Sequence, residues 1–235
     1  MLRLEGLRIE QDGFALRADL AVAEGARVAV IGPSGSGKST LFGAIAGFLR
    51  PAAGRITWKG ADLGPMAPGD RPLSILFQDQ NLFPHLTVAD NVALGLRPSL
   101  RLTGGERARV GSALARVGLG GMGGRRPGTL SGGEQGRAAL ARALLRARPV
   151  LLLDEPFAAL GPALKREMLD LVAGIAAESG ATVLMVSHDP ADARRLCPAT
   201  ILVAGGRAEG PVPTGPLLDD PPPALADYLG RPERG

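Results

Sequence analysis

The sequence has 235 residues, of which 45% are apolar and 3% aromatic, with 34 glycines and 20 prolines spread among regular apolar blocks. This composition excludes a collagen-like repeat and long disorder, and it fits one loop-rich α/β domain. There are 27 basic and 23 acidic residues, and because the basic ones are scattered, no nucleic-acid partner is expected. The single cysteine, Cys197, excludes an internal disulfide and a cysteine metal cluster, which favours a reducing, cytosolic compartment.

Neither a targeting segment nor a membrane span is predicted. Glu5, Glu10 and Asp12 interrupt the first 30 residues, so these residues do not resemble a secretory signal or a transit peptide. The longest apolar runs, near 150–153 and 181–186, are strand-sized. A membrane-spanning helix needs about 20 apolar residues. Any membrane role is therefore expected to be peripheral.

The first half of the chain alternates between strand and helix patterns. Residues 2–9 and 14–22 alternate apolar and polar side chains and predict two antiparallel strands. The apolar run RVAVIG at 27–32 predicts a buried strand, and apolar residues at helical spacing predict a helix over 39–49. Two further short strands are predicted within 51–60 and at 73–78.

The second half begins with a helical insertion. Helical spacing between Gly and Pro clusters continues from about 84 to 145. A strand at 150–153, a helix at about 162–178 and the apolar runs TVLMVSHD and ATILVAGGR then restore the alternation expected of a mostly parallel sheet. The tail from 211 onward is rich in proline and is expected to be loosely packed.

A glycine-rich segment between the third predicted strand and the first predicted helix matches the pattern GxxxxGK[ST] at every fixed position. Glycines let backbone N–H groups surround phosphates, Lys38 would reach the β and γ oxygens, and the Ser39 hydroxyl would ligate Mg²⁺. The alternative is a glycine-rich turn that happens to precede a helix. The predicted ATP-binding residues are Gly32, Pro33, Ser34, Gly35, Ser36, Gly37, Lys38, Ser39 and Thr40.

Two carboxylates, Asp154 and Glu155, follow the apolar run at 150–153. They are expected at the carboxyl end of a strand, where open α/β sheets bind ligands. Adjacent residues on a strand point in different directions, so Asp154 is predicted to hold Mg²⁺ and Glu155 to activate the attacking water. The alternative is an ordinary acidic pair at a strand end.

The stretch LSGGEQ at 130–135 resembles the signature of the ABC transporter ATPases. The resemblance implies a second phosphate cradle, made by Ser131, Gly132, Gly133 and Glu134 at the start of a helix beginning near Glu134, with the amides of both glycines exposed. It also implies a head-to-tail homodimer in which this cradle closes over the ATP held by the other copy. Taken alone, the segment would be read as a helix-capping turn.

Two more residues stand where the family places functional groups. Gln78 resembles the glutamine that contacts Mg²⁺ and water and links the core to the helical insertion. His188 resembles the histidine that contacts the γ-phosphate. Alone, either would be read as an ordinary polar residue. The resemblance thus implies Glu155, His188 and Gln78 as catalytic residues and Ser39, Gln78 and Asp154 as Mg²⁺ ligands.

The family resemblance also implies the fold and its divisions. An α/β core of the P-loop NTPase (RecA-like) type is expected over 1–77 and 146–210, beginning with an antiparallel β subdomain. A helical subdomain would occupy 78–145, and a short Pro-rich tail 211–235.

The chain departs from the family pattern at two places. After the acidic pair the family usually reads SALD, whereas Ala158 to Gly161 reads AALG, so Gly161 replaces the aspartate that faces the dimer interface. The family also stacks adenine on an aromatic residue of the first hairpin, but residues 10–13 contain none, and Phe14 is expected to face the core. Neither change removes a hydrolytic group, so an active ATPase is expected.

Residues 71–106 are similar to the ATP-binding subunit of bacterial thiamine importers. The similarity implies two partners, a transmembrane permease and a periplasmic substrate-binding protein, and a place at the cytoplasmic face of the inner membrane. It also implies thiamine as the cargo, with thiamine phosphates as further candidates. Because this subunit does not touch the cargo, importers of iron, sulfate or polyamines stay open as alternatives. The groove for the permease would be formed by Phe77, Leu82, Phe83 and Leu86, whose alternative role is internal core.

Two other classes compete with an importer subunit. A soluble ABC protein acting on ribosomes or in DNA repair would need a second cassette or coiled-coil insertions, which this sequence lacks. A non-hydrolysing regulatory cassette is suggested only by Gly161.

Overall fold

The computed structural model describes residues 1–11, 13–79 and 81–229, and these residues form one ten-stranded sheet with helices around it. The strands are β1 (Leu2–Gln11), β2 (Phe14–Val22), β3 (Arg27–Ile31), β4 (Ala53–Trp58), β5 (Ala61–Asp62), β6 (Leu73–Leu76), β7 (Val150–Asp154), β8 (Thr182–Val186), β9 (Ala199–Ala204) and β10 (Arg207–Pro213). The helices are α1 (Lys38–Ala46), α2 (Val88–Ala93), α3 (Gly104–Arg116), α4 (Gly132–Leu145), α5 (Pro162–Ser179), α6 (Pro190–Leu196), α7 (Thr214–Asp219) and α8 (Pro223–Tyr228). Across the sheet the strand order is β5-β4-β1-β2-β10-β9-β3-β8-β7-β6. Three parts of the chain lie outside the described residues. They are Asp12 in the first hairpin, Gln80 in the 71–106 segment, and residues 230–235 in the tail.

Five neighbouring strands, β9, β3, β8, β7 and β6, are parallel. The central strands are apolar throughout because helices cover both faces. Val28 and Val30 of β3 face the core that includes α1, whereas Ala29 and Ile31 face the core that includes α5. The predicted buried strands are confirmed, and their carboxyl ends meet along one edge of the sheet.

The N-terminal hairpin β1–β2 is antiparallel, as predicted, and β4 pairs with the other side of β1. One face of β1 is buried, but the inward positions change from even to odd numbers along the strand, because Leu4 and Leu7 flank a break in the register. Gly6 lies in this break with a φ of +54°. The β-bulge therefore keeps the apolar side chains on the core side.

Helices α2, α3 and α4 lie between β6 and β7 in the chain and share a separate apolar core, which includes Val92, Leu114 and Ala138. Their N-termini are capped locally. The Thr87 side chain accepts from the Asp90 N–H, and Thr103 and Glu106 form a capping box.

The C-terminal part of the described chain is packed, so the expectation of loose packing from 211 is wrong for residues 211–229. Leu218 of α7 and Leu225 of α8 are 1% and 0% exposed, in the same core as Met185 of β8. Proline at the first position of α8 starts the helix without removing a needed donor. The high proline content therefore does not indicate loose packing in this segment.

Helix α6 was not predicted separately from the strand before it. It begins at Pro190 and is capped by Asp189, whose side chain accepts from the Ala191 N–H. Among the described residues, no helix has both the length and the apolar character needed to cross a membrane.

Candidate active site

The glycine-rich loop joins β3 to α1, and its backbone geometry requires two of its glycines. A Cβ atom at Gly32 would lie 1.9 Å from the carbonyl oxygen of Val203 on the neighbouring strand β9. Gly37, the N-cap of α1, has a φ of +101°, and a Cβ atom there would lie 2.7 Å from the Phe14 ring. Packing and backbone conformation therefore require glycine at positions 32 and 37, independently of any ligand.

Lys38 folds back across this loop. Its Nζ donates to the carbonyl oxygens of Gly32 and Pro33, both at 2.8 Å, and the residue is 6% exposed. Burial lowers the pKa of Lys38, and the nearby carboxylates of Glu155 and Asp154 oppose that shift. The lysine charge is thus held inside the loop by neutral oxygens, which an anion can replace.

Ser36 gives a second indication that the loop binds an anion. Among the described side chains, its Oγ is the buried polar atom that lacks a hydrogen-bond partner. A buried hydroxyl without a partner is costly unless a ligand or water satisfies it. A phosphate oxygen beside Lys38 would satisfy it, so the residues present fit the predicted nucleotide.

The acidic pair ends β7, directly beside β8. Burial, followed by the charge of Glu155, raises the pKa of Asp154, whereas Lys38 and His188 act in the opposite direction. Glu155 has a φ of +49°, a conformation that costs a non-glycine residue free energy. Its backbone N–H donates to the Val186 carbonyl oxygen at 3.2 Å. The pairing of the strand ends thus imposes the turn that aims the Glu155 carboxylate.

His188 follows β8 and faces that carboxylate. Its Nε2 lies 2.5 Å from Glu155 Oε1. Lys165 of α5 fixes the segment after His188, because its Nζ lies 3.0 Å from Asp189 Oδ2 and 2.8 Å from Asp192 Oδ2. Burial acts to lower the pKa of Lys165, but the hydrogen bonds to Asp192 and Asp189 outweigh burial and raise it. The histidine therefore projects from an anchored loop.

An open pocket of about 400 Å³ brings eight of the predicted residues together. It lies between the glycine-rich loop, the first hairpin and the ends of β7 and β8. The expectation that Phe14 faces the core is only partly right, because its half-buried ring packs against the core and also lines the pocket. The lining residues are Gln11, Phe14, Ser34, Gly35, Gly37, Lys38, Ser39, Thr40, Glu155 and His188.

Of the three predicted Mg²⁺ ligands, Ser39 lines this pocket, whereas Asp154 and Gln78 do not. Asp154 lies at the end of β7, next to the lining residue Glu155, and Gln78 lies in an exposed turn after β6. One hydroxyl, one amide and one carboxylate are oxygen donors of the kind that Mg²⁺ accepts beside substrate phosphates. No cluster of three or more His, Cys, Asp or Glu suited to a metal occurs among the described residues.

The segment resembling the family signature is a helix cap in this structure. The Ser131 side chain accepts from the Glu134 N–H, and Glu134 accepts from the Ser131 N–H at 2.7 Å. The Ser131 backbone N–H, and then the Ser131 hydroxyl, donate to the Glu134 carboxylate and lower its pKa. Helix α4 begins at Gly132, within two residues of the expected start near Glu134.

The two glycines of this segment differ. Gly132 is exposed, as expected, but Gly133 is buried. The Leu164 side chain covers Gly133 so closely that a Cβ atom at this position would lie 2.3 Å from it. The prediction that both glycine amides are exposed is therefore wrong for Gly133. Gly161 is the N-cap of α5, with open space around its Cβ position, so sterics do not exclude an aspartate there.

Comparisons with known proteins agree with this site. A family model described as ABC transporter matches residues 16–158. The thiamine import ATP-binding protein ThiQ of Cereibacter sphaeroides is 69% identical over 98% of this chain and 100% of that protein. The protein of that name from a Ruegeria species is 58% identical over 98% and 100% of the two chains. A solved ATP-binding cassette, a dimeric post-hydrolysis state bound to ADP and Pi, covers 91% of this chain and 99% of its own at 29% identity and a TM-score of 0.79.

A mixed sheet with a phosphate loop after β3 and an acidic pair after β7 defines a nucleotide-binding protein of the P-loop class. The chain belongs to the ABC transporter family, as an ATP-binding subunit. The α/β fold implied by the resemblance is confirmed.

Sequence reasoning missed Phe48 and Tyr228. Phe48, after α1, is 55% exposed, and its ring centroid lies 6.1 Å from that of Phe77. Tyr228, on α8, contacts His188. No local pattern marks either residue, although Tyr228 is the only tyrosine in the sequence.

Proposed function

We propose that this chain is the ATP-hydrolysing subunit of an importer for thiamine, coupling hydrolysis to transport through a membrane permease. The observation that carries the proposal is the 69% identity, over 98% of this chain and 100% of the relative, with a thiamine import ATP-binding protein. The pocket supports the ATPase part. The cargo rests on lineage, because cargo specificity lies in the permease and binding protein.

The residues of the pocket divide the chemistry among them. Lys38, the Ser36 hydroxyl and the backbone N–H groups of the loop bind the phosphates of ATP. Glu155 accepts a proton from the attacking water, whose oxygen forms a bond to the γ-phosphorus as the bond to ADP breaks. His188 holds the γ-phosphate. Since Glu155 and His188 contact each other at 2.5 Å, this contact opens when ATP enters.

Mg²⁺ fits the same site as a cofactor. Ser39, Gln78 and Asp154 would hold it, and it would neutralise charge on the β- and γ-phosphates. Gln78 lies in an exposed turn that joins β6 to the helical segment. Movement of this turn toward the pocket would therefore link the core, proposed as 1–77 and 146–210, to the helical subdomain at 78–145.

The working form is proposed to be a homodimer. Ser131 to Glu134 do not line the pocket of their own chain, which agrees with a role toward the ATP of a second copy. The N-terminus of α4, where Ser131 and Gly132 are exposed residues, would face the ATP of the second copy. The dimeric state described for the solved relative supports this arrangement.

The aromatic side chains of Phe48, Phe77 and Phe83 are proposed as a surface that receives a cytoplasmic helix of the permease. Phe48 and Phe83 are 55% and 46% exposed, and the ring of the half-buried Phe77 lies 6.1 Å from that of Phe48. Aromatic residues are enriched at protein–protein interfaces, which supports this role. Leu82 packs against the protein's cores, so the core alternative holds for that residue. This surface would place the protein peripherally at the cytoplasmic face of the inner membrane, with a periplasmic binding protein delivering cargo on the other side.

The buried side-chain amide of Asn91 holds the Phe83 part of this surface in place. The Asn91 side chain accepts from the Phe83 N–H at 2.7 Å and donates to the carbonyl oxygens of Phe83 at 3.0 Å and Thr87 at 2.9 Å. Asn91 is completely buried. The loop that presents Phe83 is therefore fixed before any partner binds, which lowers the entropic cost of docking.

Hydrolysis by the purified protein with its permease tests the ATPase assignment. Wild type is expected to hydrolyse ATP only with Mg²⁺, and Glu155→Gln is expected to lose about 10²-fold or more in kcat because it removes the proton acceptor. Glu178→Gln, on an exposed face of α5, is the matched control and should keep wild-type rates. Equal hydrolysis by wild type and Glu155→Gln would refute the assignment of Glu155.

A further inference from the structure

The C-terminal helix α8 contacts the active site through one hydroxyl group. Tyr228 Oη lies 3.0 Å from His188 Nδ1 and also 3.0 Å from the His188 carbonyl oxygen. On the other side of the imidazole, Nε2 lies 2.5 Å from Glu155 Oε1. The single tyrosine of the chain thus contacts both the ring and the backbone of the histidine proposed to hold the γ-phosphate.

The Glu155 carboxylate can only accept, so Nε2 carries the proton that lies between these two side chains. In a neutral imidazole Nδ1 is then an acceptor. The Tyr228 hydroxyl, which lies 3.0 Å from both Nδ1 and the His188 carbonyl oxygen, donates its proton to these acceptors. Burial, and then the charges of Glu155 and Asp189, raise the pKa of Tyr228, so the hydroxyl keeps its proton at neutral pH.

Tyr228 is held by packing and does not reach the histidine from a free end. Leu225 and Ala226, on the same helix, are 0% and 8% exposed. Leu225 belongs to the core that also contains Val183 and Met185 of β8, the strand that ends just before the His188 loop. The distance between tyrosine and histidine is therefore fixed by a shared core.

We propose that Tyr228 is a positioning residue for His188: its hydroxyl group holds Nδ1, so that the Nε2–H is directed into the phosphate pocket. The inference rests on the proposed function, because it assigns a task to the histidine of that site. When ATP separates Glu155 from His188, the ring loses its partner at Nε2 but keeps its partner at Nδ1. The ring therefore meets the γ-phosphate in a set orientation, as a catalytic histidine does when its other nitrogen is hydrogen-bonded.

Histidine NMR tests the contact directly, because the chain has two histidines, His85 and His188. In protein labelled with ¹⁵N-histidine, His85→Gln assigns the His188 signals. We expect nucleotide-free wild type to show a proton on Nε2 and a hydrogen-bonded Nδ1, and Tyr228→Phe, which keeps the ring but loses the hydroxyl, to show a changed Nδ1 signal. Asp227→Asn, exposed on the same helix, should match wild type. An identical His188 spectrum in Tyr228→Phe would overturn the proposal.

Steady-state kinetics test the consequence for hydrolysis. Loss of one positioning hydrogen bond is expected to lower kcat about 3- to 10-fold in Tyr228→Phe, with the KM for ATP within about twofold of wild type. Asp227→Asn should keep both constants. An unchanged or raised kcat, or a loss confined to KM, would overturn the positioning role.

The two readouts separate this inference from the proposed function. If the Glu155 and Lys38 variants hydrolyse ATP like wild type, the proposed function fails, while the NMR result still decides whether Tyr228 sets the state of His188. If those variants are inactive and Tyr228→Phe has wild-type spectra and kcat, only the positioning inference fails.

Discussion

Gly32→Ala should unfold or strongly destabilise the protein, independently of nucleotide binding. The new Cβ would lie 1.9 Å from the Val203 carbonyl oxygen, which is about 1.5 Å inside ordinary contact. Because the clashing atom belongs to the backbone of β9, a rotamer change cannot relieve it. The strands β3 and β9 are paired up to Ile31 and Leu202, so separating them breaks ladder hydrogen bonds.

The magnitude follows from overpacking and the lost hydrogen bonds. Overpacking costs about 1–3 kcal/mol and each lost ladder bond about 1 kcal/mol, which gives a loss of roughly 3–5 kcal/mol in the free energy of unfolding. For a domain of this size that corresponds to a fall in Tm of about 6–20 °C.

Thermal unfolding followed by circular dichroism measures this change without nucleotide. Gly35→Ala is the matched control in the same loop, because its Cβ position is open and only its φ of +74° opposes alanine. It should cost about 1–2 kcal/mol. A Gly32→Ala protein with wild-type Tm and lost ATP binding would refute the reasoning, since it would show that this glycine serves the ligand alone.

Three further predictions concern stability and reactivity. Asn91→Ala leaves buried backbone groups of the 83–87 loop without partners and should lower the free energy of unfolding by about 2–4 kcal/mol, measured by urea unfolding, with no change if the amide is dispensable. The backbone N–H of Thr103, and then Arg97, lower the pKa of Glu106 from 4.5 to about 2, so its stabilising contribution is present above pH 4.5 and is lost as the pH falls toward 2. The Tm difference between wild type and Glu106→Gln should therefore shrink over that interval, and a constant difference would contradict this pKa. Burial raises the pKa of Cys197 to about 12, so a disulfide reagent at pH 8 should label the thiol only after denaturation, and rapid labelling of native protein would contradict its burial.

The sequence predicted the parts of the fold whose signals are local. The apolar runs at 27–31 and 182–186 are buried on both faces, so they show as continuous apolar segments, and the loop between β3 and α1 carries a motif at consecutive positions. Lys38 was therefore identified from its motif and Glu155 from its place after a strand, whereas His188 was identified only through the family resemblance. The structure places all three around one pocket.

What the sequence could not predict depends on distant contacts. Leu225 and Tyr228 stand among prolines, and only their packing against β8 and the His188 loop makes α8 part of the site. The burial of Gly133 depends likewise on Leu164, which lies about 30 residues further along the chain. Short helices such as α6, with 7 residues, are too brief for a periodic pattern.

Uptake of labelled thiamine tests the central claim most directly, in cells that lack this gene and any other thiamine importer. Wild type should restore uptake, and Lys38→Ala should not, because it removes the phosphate-binding charge. Lys59→Ala, an exposed lysine on the hairpin between β4 and β5, is the matched control and should restore uptake fully. Equal uptake with wild type and Lys38→Ala, or no restoration by wild type, would contradict the account.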